Sequence, residues 1–285
     1  MQRRNEGFIA TDKGKVWYEI VGRGNGTPLI VIHGGPGFPH DYLEPLEDLS
    51  DERQVVFYDQ LGCGNSQKPE DKSYWTVEYF VRELADLIKQ LKLEEFYLLG
   101  QSWGASIAAC YALIQPKGLK KLILANPFLS TPLWIKHAKK LINELPANMQ
   151  KALLSENTDS IQYKKAIREF YYRYIYRMDP RPVAVIRADY KMNFDMYNFM
   201  WGPQEFEVSG TLRNFDLTHK LPQIKIPTLF LCGRFDEATP EATEYFKSLI
   251  PNSQMKVFEK SAHMPHWTER EEYIKTIRDF LGHIG

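Results

Sequence analysis

Short apolar runs alternate with longer amphipathic stretches along most of this chain of 285 residues. An unbroken apolar run is typical of a strand covered on both faces, whereas apolar residues that recur every three or four positions predict a helix. We predict strands at 15–21, 28–32, 53–58, 96–99, 119–125, 227–232 and 254–258, the first of which alternates like an edge strand. We predict helices at 76–91, 105–114, 241–250 and 271–281. Strands that alternate with helices favour a mainly parallel α/β sheet with right-handed crossovers.

The pattern changes between residues 130 and 212. This span has no strand-like run, is rich in aromatic, Met, Lys and Arg residues, and shows helical stretches at 134–144 and 161–176. We therefore expect an α/β core formed by residues 1–129 and 213–285, with residues 130–212 inserted as a helical cap.

Composition narrows the class of protein. The formal net charge is zero, with 44% hydrophobic and 25% charged residues, so no electrostatic feature predicts a nucleic acid or an anionic membrane as a partner. The N-terminal stretch 1–10 lacks the apolar segment of a signal peptide, and no run is long enough to span a membrane. Cys63, Cys110 and Cys232 lie far apart, which argues against a disulfide framework. We expect a cytoplasmic protein.

The stretch 96–106 carries the strongest candidate chemistry. It reads as an apolar strand, a Gly-X-Ser-X-Gly turn and a small-residue helix, which is the context of a nucleophile elbow. Ser102 is then the candidate nucleophile, while Gly100 and Gly104 avoid clashes at a very sharp turn. The alternative is an ordinary strand-to-helix turn. Ser66 is a competing serine, but it lacks an elbow and is expected to make a capping or loop hydrogen bond.

A nucleophilic serine needs a base and an acid, which in this chain order follow later strands. Asp236 comes just after the strand at 227–232, where its alternative role is to cap a helix; Glu237 is the competing acid. His263 lies nearest the end of the last strand, with His266 as the fallback base. His33 is expected to shape its own loop, and the remaining histidines lie outside the loops that end strands or within the cap: His40, His137, His219 and His283.

Two backbone N–H groups are expected to form an oxyanion hole. One is that of Trp103, directly after the nucleophile, and the other comes from the glycine loop 33–37. Pro36 has no N–H to donate, which leaves the glycines before it, and Gly35 is our candidate.

Together, the motifs His33-Gly34-Gly35-Pro36-Gly37, Asp59-Gln60-Leu61-Gly62-Cys63-Gly64-Asn65-Ser66 and Ser102-Trp103-Gly104, with Asp236 and His263, resemble the proline iminopeptidase family of α/β-hydrolases. In the cap, Asn143-Glu144-Leu145-Pro146 and Trp201-Gly202-Pro203-Gln204-Glu205-Phe206 are similar to the archaeal tricorn-interacting aminopeptidase. The resemblance implies the α/β-hydrolase fold. It also implies release of an N-terminal residue, often proline, from short peptides, amino-acid amides or arylamides. One departure is Gln101, where the family's elbow usually has glycine; a side chain there is expected to narrow the site or to hydrogen-bond nearby.

An aminopeptidase must also recognise a free amine, which is largely protonated near neutral pH. The resemblance assigns this role to the carboxylates of Glu205 and Glu237, with Glu207 as an alternative and a solvated surface charge as the ordinary role of such residues. The apolar wall of the pocket is expected from Phe38, Trp103, Tyr197 and Trp201.

Other functions remain open at this point. A related amidase or small-ester hydrolase would share every catalytic residue, and a hydrolase-fold binding protein would retain them incidentally. No metal or organic cofactor is expected, because the histidines lack ligand spacing. The sequence leaves the oligomeric state open.

Overall fold

Eight strands form one sheet in the computed structural model, which describes residues 4–155 and 157–282. The order across the sheet is β1-β2-β4-β3-β5-β6-β7-β8. β2 pairs antiparallel with β1 and β4, and all other neighbours are parallel. The strands are β1 (Arg4–Ala10), β2 (Lys15–Val21), β3 (Gly26–Ile32), β4 (Arg53–Tyr58), β5 (Phe96–Gln101), β6 (Leu119–Ala125), β7 (Thr228–Gly233) and β8 (Ser253–Phe258). The predicted α/β class is confirmed.

Ten α-helices connect or extend these strands in the described residues. They are α1 (Val77–Gln90), α2 (Trp103–Leu113), α3 (Thr131–Asn143), α4 (Ala147–Leu153), α5 (Ile161–Tyr171), α6 (Val183–Lys191), α7 (Phe194–Met200), α8 (Pro240–Leu249), α9 (Pro265–Thr268) and α10 (Arg270–Leu281). A 3-10 segment covers His40–Asp51. The hydroxyl of Thr76 accepts a hydrogen bond from the Tyr79 N–H at 3.2 Å, so the predicted start of α1 is confirmed.

Alternate residues of the central strands face two separate apolar layers. Ile30 and Leu98 lie in one layer, with residues of α1 and α2. Leu29 and Leu99 lie in the other layer, with residues of the 3-10 segment and α10. The sheet is therefore covered on both faces, which explains why its strands are apolar without alternation.

Helices α3 to α7 all fall between residues 130 and 212, the span that we propose as the cap. A small apolar cluster of its own joins α3, α4 and α5, and includes Ile142, Leu153 and Phe170. A single π-helical turn, Tyr172–Tyr176, extends α5. The helices α3, α4 and α5 thus have a packed interior of their own, whereas α6 and α7 contribute residues to the two layers of the sheet.

The structure also shows whether any helix could span a membrane and whether the cysteines are paired. No helix in the described parts of the chain is long and apolar enough to cross a membrane. Cys63, Cys110 and Cys232 are all free, as predicted from their spacing.

Candidate active site

β5 meets α2 through a sharply bent residue, Ser102, whose φ is 56° and ψ is −118°. A Cβ at Gly100 would lie 2.2 Å from the carbonyl oxygen of Gly104, and one at Gly104 would lie 2.1 Å from that of Ile32. Real Cβ atoms do not approach backbone so closely, so both positions require glycine. The Ser102 N–H donates to the carbonyl of Ala125 at 2.9 Å, which ties the turn to β6. The predicted strand–turn–helix arrangement is therefore present.

Asp236 and His263 come together at the same edge of the sheet. Asp236 follows β7, His263 follows β8, and Asp236 Oδ1 lies 2.6 Å from His263 Nδ1. The Asp236 carboxylate is fully buried and also accepts hydrogen bonds from the Ala238 N–H, at 2.8 Å, and from the Asn126 amide. Burial disfavours the charged imidazolium, but the Asp236 charge and hydrogen bond outweigh it, and the pKa of His263 is raised.

The fallback base, His266, points elsewhere. Its Nε2 lies 3.1 Å from the carbonyl oxygen of Tyr42, and its ring is fully buried. Burial and the neighbouring His263 lower the pKa of His266 to about 3, so it stays neutral. An Nε2 committed to a backbone carbonyl is not available to take a proton from a serine.

Other histidines have structural partners. Nε2 of His33 accepts from the Gln60 N–H at 2.9 Å, which fixes the glycine loop against the loop after β4, as expected. Nδ1 of His40 lies 2.7 Å from Asp59 Oδ1, and Nδ1 of His137 lies 2.7 Å from the hydroxyl of Thr239. His283 lies outside the described residues.

Ser66, the competing serine, makes the loop hydrogen bonds predicted for it. Its hydroxyl accepts from the Trp17 N–H at 2.8 Å and donates to the carbonyl of Asp59 at 2.5 Å. No general base contacts it in the described residues. Ser66 therefore connects β2 to the loop after β4.

The glycine loop brings Gly35 to the elbow. Gly35 has a φ of 108°, a conformation that favours glycine, and a Cβ there would lie 2.5 Å from the Gly37 nitrogen. The Gly34 N–H donates to the Tyr42 hydroxyl at 2.8 Å, so it is already engaged. Gly35 and Trp103 both line the same cavity as Ser102, which is compatible with the predicted pair of oxyanion donors.

A cavity of about 450 Å³ opens over Ser102 between the core and the cap. The acidic and basic side chains among its described lining residues are Asp189, Glu205, Glu237 and His263. All four residues predicted for the apolar wall line it, together with further aromatic and aliphatic side chains from the cap: Phe38, Trp103, Tyr197 and Trp201, then Trp134, Tyr163, Tyr171 and Ile175. No lysine or arginine lines it in the described residues.

Glu205 and Glu237 face this cavity from opposite parts of the molecule. Glu205 Oε2 accepts from the hydroxyls of Tyr171, at 2.7 Å, and Tyr197, at 3.0 Å. Glu237 is buried beside the base, with Oε1 3.9 Å from His263 Nε2. Burial raises the pKa of both carboxyls, and the charge of Glu205 adds to the effect on Glu237, whose pKa is about 8. Glu207 is exposed and does not line the cavity.

Three contributing residues were missed in the sequence. Asn126 directly follows β6, at the carboxyl edge of the sheet, and its φ of 49° marks a special backbone position. A polar residue at the end of an apolar strand was a usable signal. Tyr42 and Tyr171 carried no such signal, since tyrosine is common here and neither follows a strand.

Comparison with known proteins gives a consistent result. Residues 27–270 match the family model described as alpha/beta hydrolase fold. A proline iminopeptidase of Heyndrickxia coagulans is 46% identical, over 98% of this chain and 99% of its own. One of Thermoplasma volcanium is 34% identical, over 99% of this chain and 98% of its own. The chain belongs to the proline iminopeptidase family.

The structural comparison agrees over the whole molecule. The crystal structure of a proline iminopeptidase from Mycobacterium smegmatis superposes with a TM-score of 0.92 at 33% identity, covering 97% of each chain. The similarity to proline iminopeptidases thus includes the cap as well as the core. The α/β-hydrolase fold expected from the motifs is confirmed.

Proposed function

We propose that this member of the proline iminopeptidase family is a serine aminopeptidase, which releases an N-terminal proline or other apolar residue from short peptides. The observation that carries the proposal is the position of Glu205 and Glu237 in the same cavity as Ser102. A cavity with carboxylates, aromatic walls and a nucleophile suits a substrate whose reacting carbonyl lies next to an ammonium group.

In this proposal His263 Nε2 takes the proton of Ser102 Oγ as the oxygen attacks the substrate carbonyl. The Asp236 carboxylate holds His263 through Nδ1 and stabilises the imidazolium that forms. The N–H groups of Gly35 and Trp103 donate to the oxyanion. The imidazolium then protonates the leaving amine, and a water molecule, activated by the same base, hydrolyses the acyl-enzyme.

In this proposal Glu205 and Glu237 bind the ammonium group of the substrate. Their raised pKa values mean that the pair resists full ionisation while the cavity is empty. A substrate ammonium between them would supply the missing positive charge. The hydroxyls of Tyr171 and Tyr197 aim the Glu205 carboxylate, so the distance from amine to nucleophile is set by the cap.

A related amidase or small-ester hydrolase remains the second candidate. The favouring observation is the broad aromatic wall, including Trp134 and Trp201, which would also accept an apolar amide or ester. This alternative uses the same Ser102, His263 and Asp236, and differs only in not requiring a free amine.

The test is a set of initial rates on matched p-nitroanilides of proline, alanine, leucine and phenylalanine, each beside its N-acetyl counterpart. We expect fast turnover of the free-amine members only, with the ranking among them set by the aromatic wall. The Ser102→Ala variant, which lacks the nucleophile, should lose nearly all turnover at unchanged thermal stability. Similar rates on acetylated substrates would favour the amidase or esterase, and an active Ser102→Ala variant would refute the catalytic assignment.

A further inference from the structure

The side chain of Gln101 connects two loops that the proposed chemistry uses. Gln101 ends β5, directly before Ser102, and is 1% exposed. Its Oε1 accepts from the hydroxyl of Tyr42 at 2.5 Å, and its Nε2 donates to the backbone carbonyl of His263 at 3.2 Å. A glycine at this position could make neither hydrogen bond.

The connection continues to the glycine loop through Tyr42. The Tyr42 hydroxyl donates to Gln101 and accepts from the Gly34 N–H at 2.8 Å, so both of its hydrogen-bonding functions are used. Burial raises the pKa of Tyr42 far above its usual value, so the phenol keeps the proton that it donates. The Tyr42 carbonyl in turn accepts from the indole of Trp267 at 2.7 Å.

The His263 backbone is held on both sides. Its N–H donates to the carbonyl of Ile175 in the cap at 3.1 Å, while its carbonyl accepts from Gln101. The fit near the elbow is tight, since a Cβ at Gly34 would lie 2.8 Å from Gln101 Oε1. The buried amide of Gln101 is thus hydrogen-bonded to the backbone of His263 directly and, through the hydroxyl of Tyr42, to the backbone of Gly34, which precedes Gly35.

We propose that Gln101 is a positioning residue that fixes the glycine loop and the His263 loop relative to Ser102, acting through Tyr42. The inference rests on the proposed roles of Gly35, Ser102 and His263. Gln101 lines the cavity, but its hydrogen bonds go to Tyr42 and His263 and not to Glu205 or Glu237. Because it acts on the geometry of the reacting groups, its loss should lower kcat and leave KM nearly unchanged.

The experiment compares Gln101→Met, which keeps the length of the side chain but neither hydrogen bond, with Tyr42→Phe and the double variant. On a free-amine p-nitroanilide we expect kcat to fall about 10–100-fold, the loss expected when reacting groups are misplaced by about one ångström. KM should stay within about threefold of the wild-type value. Since both residues belong to one chain of hydrogen bonds, the losses should not multiply in the double variant. Inactivation by a p-nitrophenyl phosphonate, in which Ser102 Oγ displaces nitrophenolate, should slow by a similar factor.

Ser66→Ala is the matched control, because it removes a buried side chain that likewise makes two hydrogen bonds, but away from the cavity. It should lower the melting temperature and leave kcat per folded molecule unchanged. The inference is overturned by a kcat within threefold of wild type in both Gln101→Met and Tyr42→Phe, by losses that multiply, or by an equal loss in Ser66→Ala. If Gln101→Met does not fold, the kcat of Tyr42→Phe and its rate of inactivation by the phosphonate test the inference by themselves. If Ser102→Ala itself stays active, the proposed function fails whatever the Gln101 result.

Discussion

Glu237 has two acidic neighbours and one basic one, and this setting decides its protonation. Burial is the main cause of its raised pKa; the approach of His263 opposes the shift, while Glu205 and Asp236 add to it. With a pKa of about 8, Glu237 keeps its proton at pH 7 when the cavity is empty. An ammonium group bound nearby would favour the carboxylate and expel that proton.

This protonation predicts that a free-amine ligand releases a proton on binding. At pH 7, where the ligand amine is already largely protonated, we expect up to about one proton per site for prolinamide binding to the Ser102→Ala variant. Calorimetry in buffers of different ionisation enthalpy measures this number. Glu237→Gln is the control and should release much less; equal release from both proteins would exclude Glu237 as its source.

Candidate site residues could be predicted from the sequence where they closely follow a predicted strand, because the strand end fixes their position in the fold. Ser102, Asp236 and His263 each follow an apolar strand, and parallel strands bring their carboxyl ends to one edge. Gln101 and Tyr42 could not be predicted in this way. A glutamine beside the nucleophile was visible, but its partners lie 59 and 162 positions away in the chain and only the folded geometry reveals them.

Among the elements, the π-helical turn Tyr172–Tyr176 has the most direct link to the site. The carbonyls of Tyr174 and Ile175 accept hydrogen bonds from the N–H groups of Glu237, at 3.2 Å, and His263, at 3.1 Å. The sequence predicted an ordinary helix over 161–176, and the α-helix ends at Tyr171 instead. Five residues are too few for apolar periodicity to separate a π turn from an α turn.

β1 and the 3-10 segment are among the elements that were missed, each for a physical reason. β1 is mostly exposed, so it lacks an apolar run, and it makes β2 an inner strand where an edge strand was expected. The 3-10 segment His40–Asp51 contains Pro45 and has no regular α-helical pattern. The buried strands and long helices were predicted to within a few residues, because burial imposes their pattern.

α1 contributes a titratable contact to the loop after β4. Glu83 is buried, and its Oε2 accepts from the Leu61 N–H at 2.9 Å. Burial raises the pKa of Glu83 to about 8. The folded protein therefore binds a proton that the unfolded chain gives up at a lower pH, and stability falls as the pH rises from about 4.5 to 8.

The Glu83→Gln variant should lose this part of the pH dependence. We expect the free energy of unfolding of the wild type to fall between pH 5 and pH 8, with Glu83 contributing at most about 1.4 kcal/mol per pH unit. Urea unfolding at both pH values measures the slope. The exposed Glu70→Gln removes the same charge and should keep the wild-type slope; an unchanged slope in Glu83→Gln would show that Glu83 does not titrate in this range.

At the scale of the whole molecule, the proposed activity needs the core and the cap together. The core supplies Ser102, His263 and Glu237, whereas Glu205 and its two tyrosine partners belong to the cap. Backbone hydrogen bonds from the core to the carbonyls of the π turn connect the core to the cap. In the proposed function, selection of a free amine therefore needs both the core and the cap, while bond cleavage uses residues of the core.

The most direct test of this account is the ratio of kcat/KM for proline p-nitroanilide to that for its N-acetyl form, in the wild type and in Glu205→Gln. We predict a large ratio in the wild type and a ratio about 10–100-fold smaller in the variant. A factor of this size corresponds to the loss of one hydrogen bond to a charged group. The kcat/KM for the acetylated substrate should change less than threefold. Glu207→Gln, a neighbouring exposed position, should keep the wild-type ratio. An equal loss of kcat/KM on both substrates, or a wild-type ratio near one, would contradict the claim that this cavity recognises a free amine.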